Sequence, residues 1–596
     1  MNDMRRTLLW VVFSMSLFLI YNAWNVHTGQ PSFFSPPPAR LATSVAGSPG
    51  ALPKPADTAA AIASPGSTAA PGATSVVAEK TVVTTDVVKA TLSSEGGSLV
   101  RLELVKYPEQ VIKEWYEPLL EFAGLQKRKP DTGTDMVLMD ESAARLYVAE
   151  SGLIPKSGGP GLPNHHTVMA LVPGERTLAA GQDAVQVRFE SSAVGGVRLV
   201  KTYTFKRGDY VIDVKNEVFN ESGAAVSPRL YLQLVRDGVP PPGESSVYST
   251  FTGPAVDDGS KFQKVEFKAI DKRGPVDKPD HAVGSDSGWV AMVQHYFASA
   301  WLIDKAEKAG DKTEGTKQPR EFFTGKSDIK NRSTDQLVHV YSVGMFVPLG
   351  DIAAGATKVF EAKLFAGPQE EEKLAKLAPR LELVKDYGIF KILAEPLFWL
   401  LTQIHKILGN WGWSIVGLVV LLKIAFYWLN AKAYGSMAKM KAINPKITSM
   451  RERLKDQPQE MQKEMMRIYR EEKINPLGGC LPIFVQMPFF ISLYWVLLST
   501  VEMRGAPWLG WITDLSTKDP YFILPILMTL TSLLQTWLNP TPPDPVQAKM
   551  MWFMPLIFSV MFFVFPSGLV LYWLTNNILS IAQQYVINKR LGVLGH

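Results

Sequence analysis

The sequence predicts a polytopic α-helical membrane protein with a large β-sandwich inserted after its first span. Three observations carry this prediction. Apolar stretches of roughly 20 residues, the length a bilayer demands, occur at 7–24, 411–431, 480–500 and 520–538, and a longer one runs from 549 to 588. Between the first two, period-two alternation replaces the long apolar runs. Basic residues gather on one side of the spans. A mean hydropathy of +0.03 with 46% hydrophobic residues thus averages a water-facing half and a lipid-facing half of the 596 residues.

Arg5 and Arg6 place residues 1–6 in the cytoplasm. The span 7–24 has a long apolar run, and Tyr21-Asn22-Ala23-Trp24 offers no small-x-small cleavage site, which favours an uncleaved signal anchor over a cleaved peptide. Residues 25–80, rich in Pro, Ala, Ser, Gly and Thr, read as an extended or disordered tether. From 81 to 370 strands dominate. Val185, Val187 and Phe189 alternate with Gln186, Arg188 and Glu190, and the runs 197–206 and 210–219 flank Arg207-Gly208-Asp209 as a hairpin connection. Many such strands with few helical stretches indicate a β-sandwich. Within 380–410, Leu393, Leu397, Leu400, Ile404 and Leu408 recur at spacings of three and four, with Pro396 expected in a helix's first turn. This amphipathic helix fits either the outer membrane surface or the side of the β-domain.

The second span, 411–431, leads into a basic segment, 432–479, whose first part to residue 473 holds eleven Lys/Arg against six Asp/Glu. Met437, Met440, Ile447, Met450 and Leu454, then Met461, Met465 and Ile468, flank Lys455-Asp456-Gln457-Pro458, which predicts a cytoplasmic helical hairpin. Its methionines suit packing between the two arms or an adaptable surface for apolar partners, and its basic groups suit acidic lipid or ribosomal RNA. The third span, 480–500, carries Pro482, Gln486 and Pro488; freed carbonyls and a side-chain amide need partners within hydrocarbon. The loop 501–519 has Arg504 and Lys518 as its basic groups and lies on the opposite side. After the span 520–538 and the loop 539–548, the last apolar stretch splits at Phe565-Pro566-Ser567-Gly568 into 549–565 and 568–588, leaving 589–596 cytoplasmic. Six spans result, with both termini in the cytoplasm, residues 25–410 translocated, and a five-helix core.

Cys480 is the single cysteine, so an internal disulfide and a multi-cysteine metal site are excluded. The eight histidines show no HExxH spacing, and no metal or other cofactor is expected. In the β-domain no two carboxylates pair by spacing, and Gly310 to Lys317 only loosely echoes a phosphate loop. A binding or scaffolding role is therefore preferred to an enzymatic one, and no catalytic residue is assigned.

Lys423 lies roughly 12 residues into the second span, where a charge costs at least about 2.5 kcal/mol. Either its ammonium snorkels to cytoplasmic headgroups, or it faces a hydrophilic, water-filled groove open to the cytoplasm. Gln486 is a candidate wall group, together with Tyr572, Asn576, Ser580 and Gln583, which at spacings of four, four and three share one helix face. No matching halves mark a repeat-built transporter, and no carboxylate relay accompanies the lysine. A one-sided groove fits this inventory better than a through-pathway. The alternative is a small-solute transporter or channel; a membrane-tethered carbohydrate-active domain is a third reading.

Four strings resemble the YidC/Oxa/Alb family of membrane protein insertases in its Gram-negative form. They are Asn475-Pro476-Leu477-Gly478-Gly479-Cys480, Gln486-Met487-Pro488, Ser436-Met437-Ala438-Lys439-Met440, and Phe565-Pro566-Ser567-Gly568-Leu569-Val570-Leu571-Tyr572. The likeness is strong over 405–590 and weaker by sequence over the sandwich and tether. It implies a catalyst, without covalent chemistry, that moves hydrophobic segments of nascent membrane proteins from the cytoplasm into the bacterial inner membrane. Action alone or beside the Sec translocon is implied, with the phospholipid bilayer and the ribosome as further partners and no DNA. It also implies a periplasmic sandwich resembling sugar mutarotases but not acting as an enzyme. The groove would comprise Lys423, Gln486, Tyr572, Trp573 and Asn576, and Met437, Met440, Met461 and Met465 of the hairpin would contact substrate. Family members commonly carry arginine where Lys423 stands; positive charge is kept while the guanidinium fork is lost. The family's aromatic pair appears here as Tyr572-Trp573, so a second tyrosine hydroxyl is not carried over.

Overall fold

The computed structural model describes residues 78–110, 132–156, 160–241, 250–274, 277–279, 281–303, 318–330, 337–388, 390–454, 457–472, 481–539 and 545–590. The expected first span 7–24, most of the tether, the Gly310 to Lys317 segment and the Asn475 to Cys480 turn lie outside them. The chain divides into two compact units that meet in sequence between Lys385 and Asp386.

The first unit is built from two nine-stranded sheets. In one, Pro228–Asp237 lies between Leu146–Pro155 and Leu337–Pro348; in the other, Thr357–Pro368 joins Phe297–Leu302 to Val211–Asn220. These ladders are antiparallel, and each sheet recruits strands far apart in sequence, so the unit folds as one cooperative whole. Alternation decides which face is inward. Val185, Val187 and Phe189 are buried, whereas Gln186 and Arg188 between them are exposed. The hairpin forms as expected, pairing Val197–Lys206 with Val211–Asn220. Its turn needs Gly208 at φ +70°, and Asp209 Oδ1 accepts from the Val211 N–H at 3.1 Å.

Polar side chains bridge the two sheets. Trp301 Nε1 donates to the Gln233 carbonyl at 3.0 Å. Lys201, with no exposed surface, donates to the carbonyls of Gly96 (2.5 Å) and Ser151 (2.7 Å). Neutral carbonyl dipoles compensate an ammonium only partly, so burial pushes the Lys201 pKa down to about 7 despite the opposing pull of Glu150.

The second unit is helical: α1 (Lys391–Leu408), α2 (Trp411–Ala425), α3 (Tyr427–Arg453), α4 (Pro458–Glu471), α5 (Leu481–Ser499), α6 (Ile523–Leu538), α7 (Pro545–Phe562) and α8 (Ser567–Arg590). Among the described residues no helix is both long and apolar enough to cross a membrane. The expected span 7–24 lies outside them, α5 and α8 cover nearly all of 480–500 and all of 568–588, and 411–431 is interrupted at Phe426, where α2 ends after 15 residues and α3 begins. Helix α6 has 16 residues, and the polar Asn576, Asn577, Ser580, Gln583 and Gln584 dilute α8.

Helix α1 corrects one expectation. It starts at Lys391, which puts Pro396 in the second turn rather than the first. Its buried line is Ala394, Leu397 and Leu401, while Ile392, Trp399 and Ile407 point outward. Helices α3 and α4 form a hairpin in which Ile443, Ile447 and Met450 pack against Leu454, Met461, Met465 and Ile468. The side chains of Met437 and Met440 lie outside the described residues.

At the other end of the helices, Asp519 is buried and accepts from Trp511 Nε1 (3.0 Å) and from the N–H groups of Tyr521 (3.0 Å) and Leu524 (2.7 Å), capping α6. The loop it organises receives the start of α8. Ser567 N donates to the Thr517 carbonyl at 2.6 Å and Gly568 N to the Leu515 carbonyl at 2.9 Å.

The buried lysine makes the first unit's stability depend on pH. Between about 7 and 10.5 the folded Lys201 is neutral while the unfolded one still binds a proton, so stability rises with pH across that window. Lys201→Met should remove that rise, worth at most about 5 kcal/mol. Urea unfolding of the full chain in detergent, followed by the sheet signal in circular dichroism at pH 7 and pH 10, checks it; equal slopes in both proteins would refute it.

Candidate functional site

Polar side chains in an otherwise apolar helical unit must find each other or water. On α8, residues 576, 580 and 583 project from one face, and α2, α3 and α5 each bring one polar group to it. Lys423 Nζ of α2 donates to Ser580 Oγ at 2.7 Å, and that hydroxyl donates onward to the Asn576 carbonyl at 2.7 Å. Gln486 Nε2 of α5 donates to Asn430 Oδ1 of α3 at 3.0 Å, and Asn430 Nδ2 donates to Gln583 Oε1 at 3.4 Å. Behind this face Asn577 reaches Ser532 of α6 (2.9 Å), and Gln584 reaches Asn539 (3.1 Å). A hydrogen-bonded seam thus runs along α8.

Beside the seam lies a cavity lined by Val419, Leu422, Lys423, Phe426, Gln486, Phe489, Phe490, Tyr572 and Asn576, with about 30 Å³ for the centres of water-sized molecules. One water needs only about 10–15 Å³ on that measure, and Lys423, Gln486, Asn576 and the Tyr572 hydroxyl are the polar groups among the mostly apolar lining residues. The aromatic wall is braced. Phe426 meets Phe489 edge-on at 5.0 Å, and Phe490 meets Tyr572 at 5.6 Å. Rings with two rotatable bonds collapse poorly onto a void, which keeps space beside the ammonium. The arrangement is a largely apolar recess that holds one cation and two amide side chains. None of the lining residues is a carboxylate, and among the described residues no His/Cys/Asp/Glu cluster could hold a metal ion.

Residues 80–400 match the family profile described as the YidC periplasmic domain, and residues 403–592 match that of the 60Kd inner membrane protein. The chain is 50% identical, over 99% of its length and 98% of the relative's, to the membrane protein insertase YidC of Cupriavidus necator. To the protein of the same name from Janthinobacterium sp. it is 47% identical, over 99% of its own length and the whole of the relative's. The chain belongs to the YidC family. Among solved structures, an active YidC insertase with its first transmembrane domain resolved aligns over 85% of this chain and 92% of its own, at 16% identity and a TM-score of 0.35.

Of the groove residues expected from the sequence, Lys423, Gln486, Tyr572 and Asn576 line one cavity. Ser580 and Gln583 join through hydrogen bonds to Lys423 and Asn430. Trp573 does not line it. One step along α8 from Tyr572, it packs edge-on against Phe562, 4.9 Å away between ring centroids, and against the lining residue Phe490 at 5.9 Å. Met461 and Met465 serve the packing of the α3–α4 hairpin. Sequence reasoning missed Asn430, Phe426, Phe489 and Phe490. The aromatics were legible as a lining only from three-dimensional proximity, while Asn430, seven residues after Lys423, could have been found by continuing the helical face.

If the seam holds the ammonium, Ser580→Ala strips Lys423 of its acceptor and should lower the stability of the helical unit by about 1–2 kcal/mol. Thermal unfolding in detergent micelles measures this. An unchanged midpoint would show that the ammonium reaches bulk water without Ser580.

Proposed function

We propose that this chain inserts hydrophobic segments and short translocated tails of nascent membrane proteins from the cytoplasm into the inner membrane, using the recess around Lys423 as a hydrophilic groove. The observation that carries the reading is a lysine held among apolar helices by a hydroxyl, with room for water beside it. Such a group attracts an acidic or polar tail, and a hydrated recess lowers the cost of taking that tail part-way across. The apolar segment then partitions into lipid at about 25 cal/mol per Å², which drives insertion without a nucleotide.

In this reading the protein has six spans with both termini in the cytoplasm. Residues 7–24 anchor it, 81–370 form the periplasmic domain, and 411–431, 480–500, 520–538, 549–565 and 568–588 surround the groove. The basic hairpin 432–479 meets incoming substrate, the ribosome and acidic lipid, and the Sec translocon is a partner for larger clients. The outward Ile392, Trp399 and Ile407 of α1 suit a helix lying in the membrane surface. Helix length supports local thinning of the bilayer. At 15 and 16 residues, α2 and α6 rise about 22 and 24 Å, short of a hydrocarbon core of about 30 Å. Lipid that thins to match them shortens the remaining barrier above the groove.

Two measurements follow. In liposomes containing only this protein, a single-span substrate with a short acidic tail should become protease-protected, and Lys423→Glu should slow this about tenfold or more, with Lys423→Ala intermediate. Equal rates in all three proteins would remove Lys423 from the mechanism. Lengthening the acyl chains by about four carbons should slow insertion several-fold, as mismatch with the short helices grows. A rate independent of chain length would exclude thinning.

A further inference from the structure

Asn430 stands where three helices meet. It follows the Phe426 break by one turn, is only 4% exposed, and uses both ends of its amide, accepting from Gln486 of α5 and donating to Gln583 of α8. Gln486 is itself a lining residue of the cavity, and Gln583 lies one turn along α8 from Ser580, the acceptor of Lys423. The lysine tier and the amide tier are therefore locked in register by one helix.

The chemistry of an unfolded tail explains what such a tier offers. Every peptide unit of a tail carries one donor and one acceptor, and both lose water on entering the groove. The ammonium supplies donors only, with two of its three left once Ser580 is served. An amide whose NH₂ is held elsewhere presents its carbonyl, the complementary acceptor. Resting on the groove reading above, we propose that Asn430 is a positioning residue. It holds the NH₂ of Gln486 so that the Gln486 carbonyl accepts from backbone N–H groups of the translocated tail, beside the Lys423 donors. The recognised ligand is then the polypeptide backbone itself, which makes the groove tolerant of uncharged tail sequences that Lys423 alone would not favour.

The test uses the full chain in liposomes and two single-span substrates, one with a short uncharged Gly/Ser tail and one whose apolar span begins at its second residue. Asn430→Leu, of similar size but unable to hydrogen-bond, should slow insertion of the tailed substrate about tenfold, the worth of one or two buried hydrogen bonds, and leave the tail-less one within about twofold. Asn430→Thr, which keeps one donor and one acceptor, should recover most of the loss. Equal slowing of both substrates by Asn430→Leu, with a lowered unfolding midpoint and no rescue by threonine, would make Asn430 merely structural and overturn the proposal. So would unchanged insertion of both. Wild-type protein that inserts neither substrate would instead refute the insertase reading, and this inference would fall with it.

Discussion

The helical unit is organised around one electrostatic constraint: the ammonium of Lys423 cannot lie among apolar side chains without an acceptor or water. Serving it requires Ser580 on α8, and that hydroxyl in turn donates a hydrogen bond to the Asn576 carbonyl. Once α8 carries polar groups on the face toward Lys423, its other polar residues need partners too, because an unpaired buried amide costs about 1–3 kcal/mol. Asn430, itself held by Gln486, donates to the Gln583 carbonyl, and Asn577 and Gln584 donate to Ser532 and Asn539. The seam thus ties α2, α3, α5 and α6 to α8 by directional bonds where leucine packing would have allowed the helices to slide.

The two ends of α8 are treated differently, and this asymmetry fits a one-sided recess. At its first residues the chain is pinned by backbone bonds to Leu515 and Thr517, in a loop fixed by the buried carboxylate of Asp519 and closed further by Ser567 Oγ donating to the Asp514 carbonyl at 3.0 Å. Toward its other end, Gln583 is met across a longer 3.4 Å contact to an asparagine just past a helix break. Backbone ties on one side and side-chain amides on the other make the first end the stiffer. On the proposed reading, a substrate entering from the amide end meets groups that can exchange partners with it.

How far the site was legible depended on periodicity. Val185, Val187 and Phe189, and the hairpin around Gly208, declared themselves because strand alternation has a period of two and turns need particular residues. The same reasoning placed Tyr572, Asn576, Ser580 and Gln583 on one helix face. It did not single out Asn430, which lies inside the expected span 411–431, because an apolar run gives no signal of the helix break at Phe426 that precedes it. Trp573 illustrates a second limit. Adjacent residues on a helix point about 100° apart, so Tyr572 lines the cavity while Trp573, which shares the neighbour Phe490 with it, packs on Phe562 instead.

On the proposed reading, a single positive group also sorts substrates by orientation. At about 6 Å, with an effective dielectric near 20, the interaction of two unit charges is about 3 kcal/mol, so a basic tail is disfavoured relative to an acidic one by about twice that. The lining residues include no carboxylate to offset this. Basic flanks are thereby left in the cytoplasm, the same bias that governs the placement of this chain's own Lys- and Arg-rich segments. Replacing the more usual arginine by lysine keeps that bias, since it depends on charge, and gives up bidentate recognition of any one carboxylate. For a catalyst that must pass many unrelated tails, the loss of a fixed two-pronged grip costs little, and a compact, strongly hydrated ammonium releases its cargo the more easily.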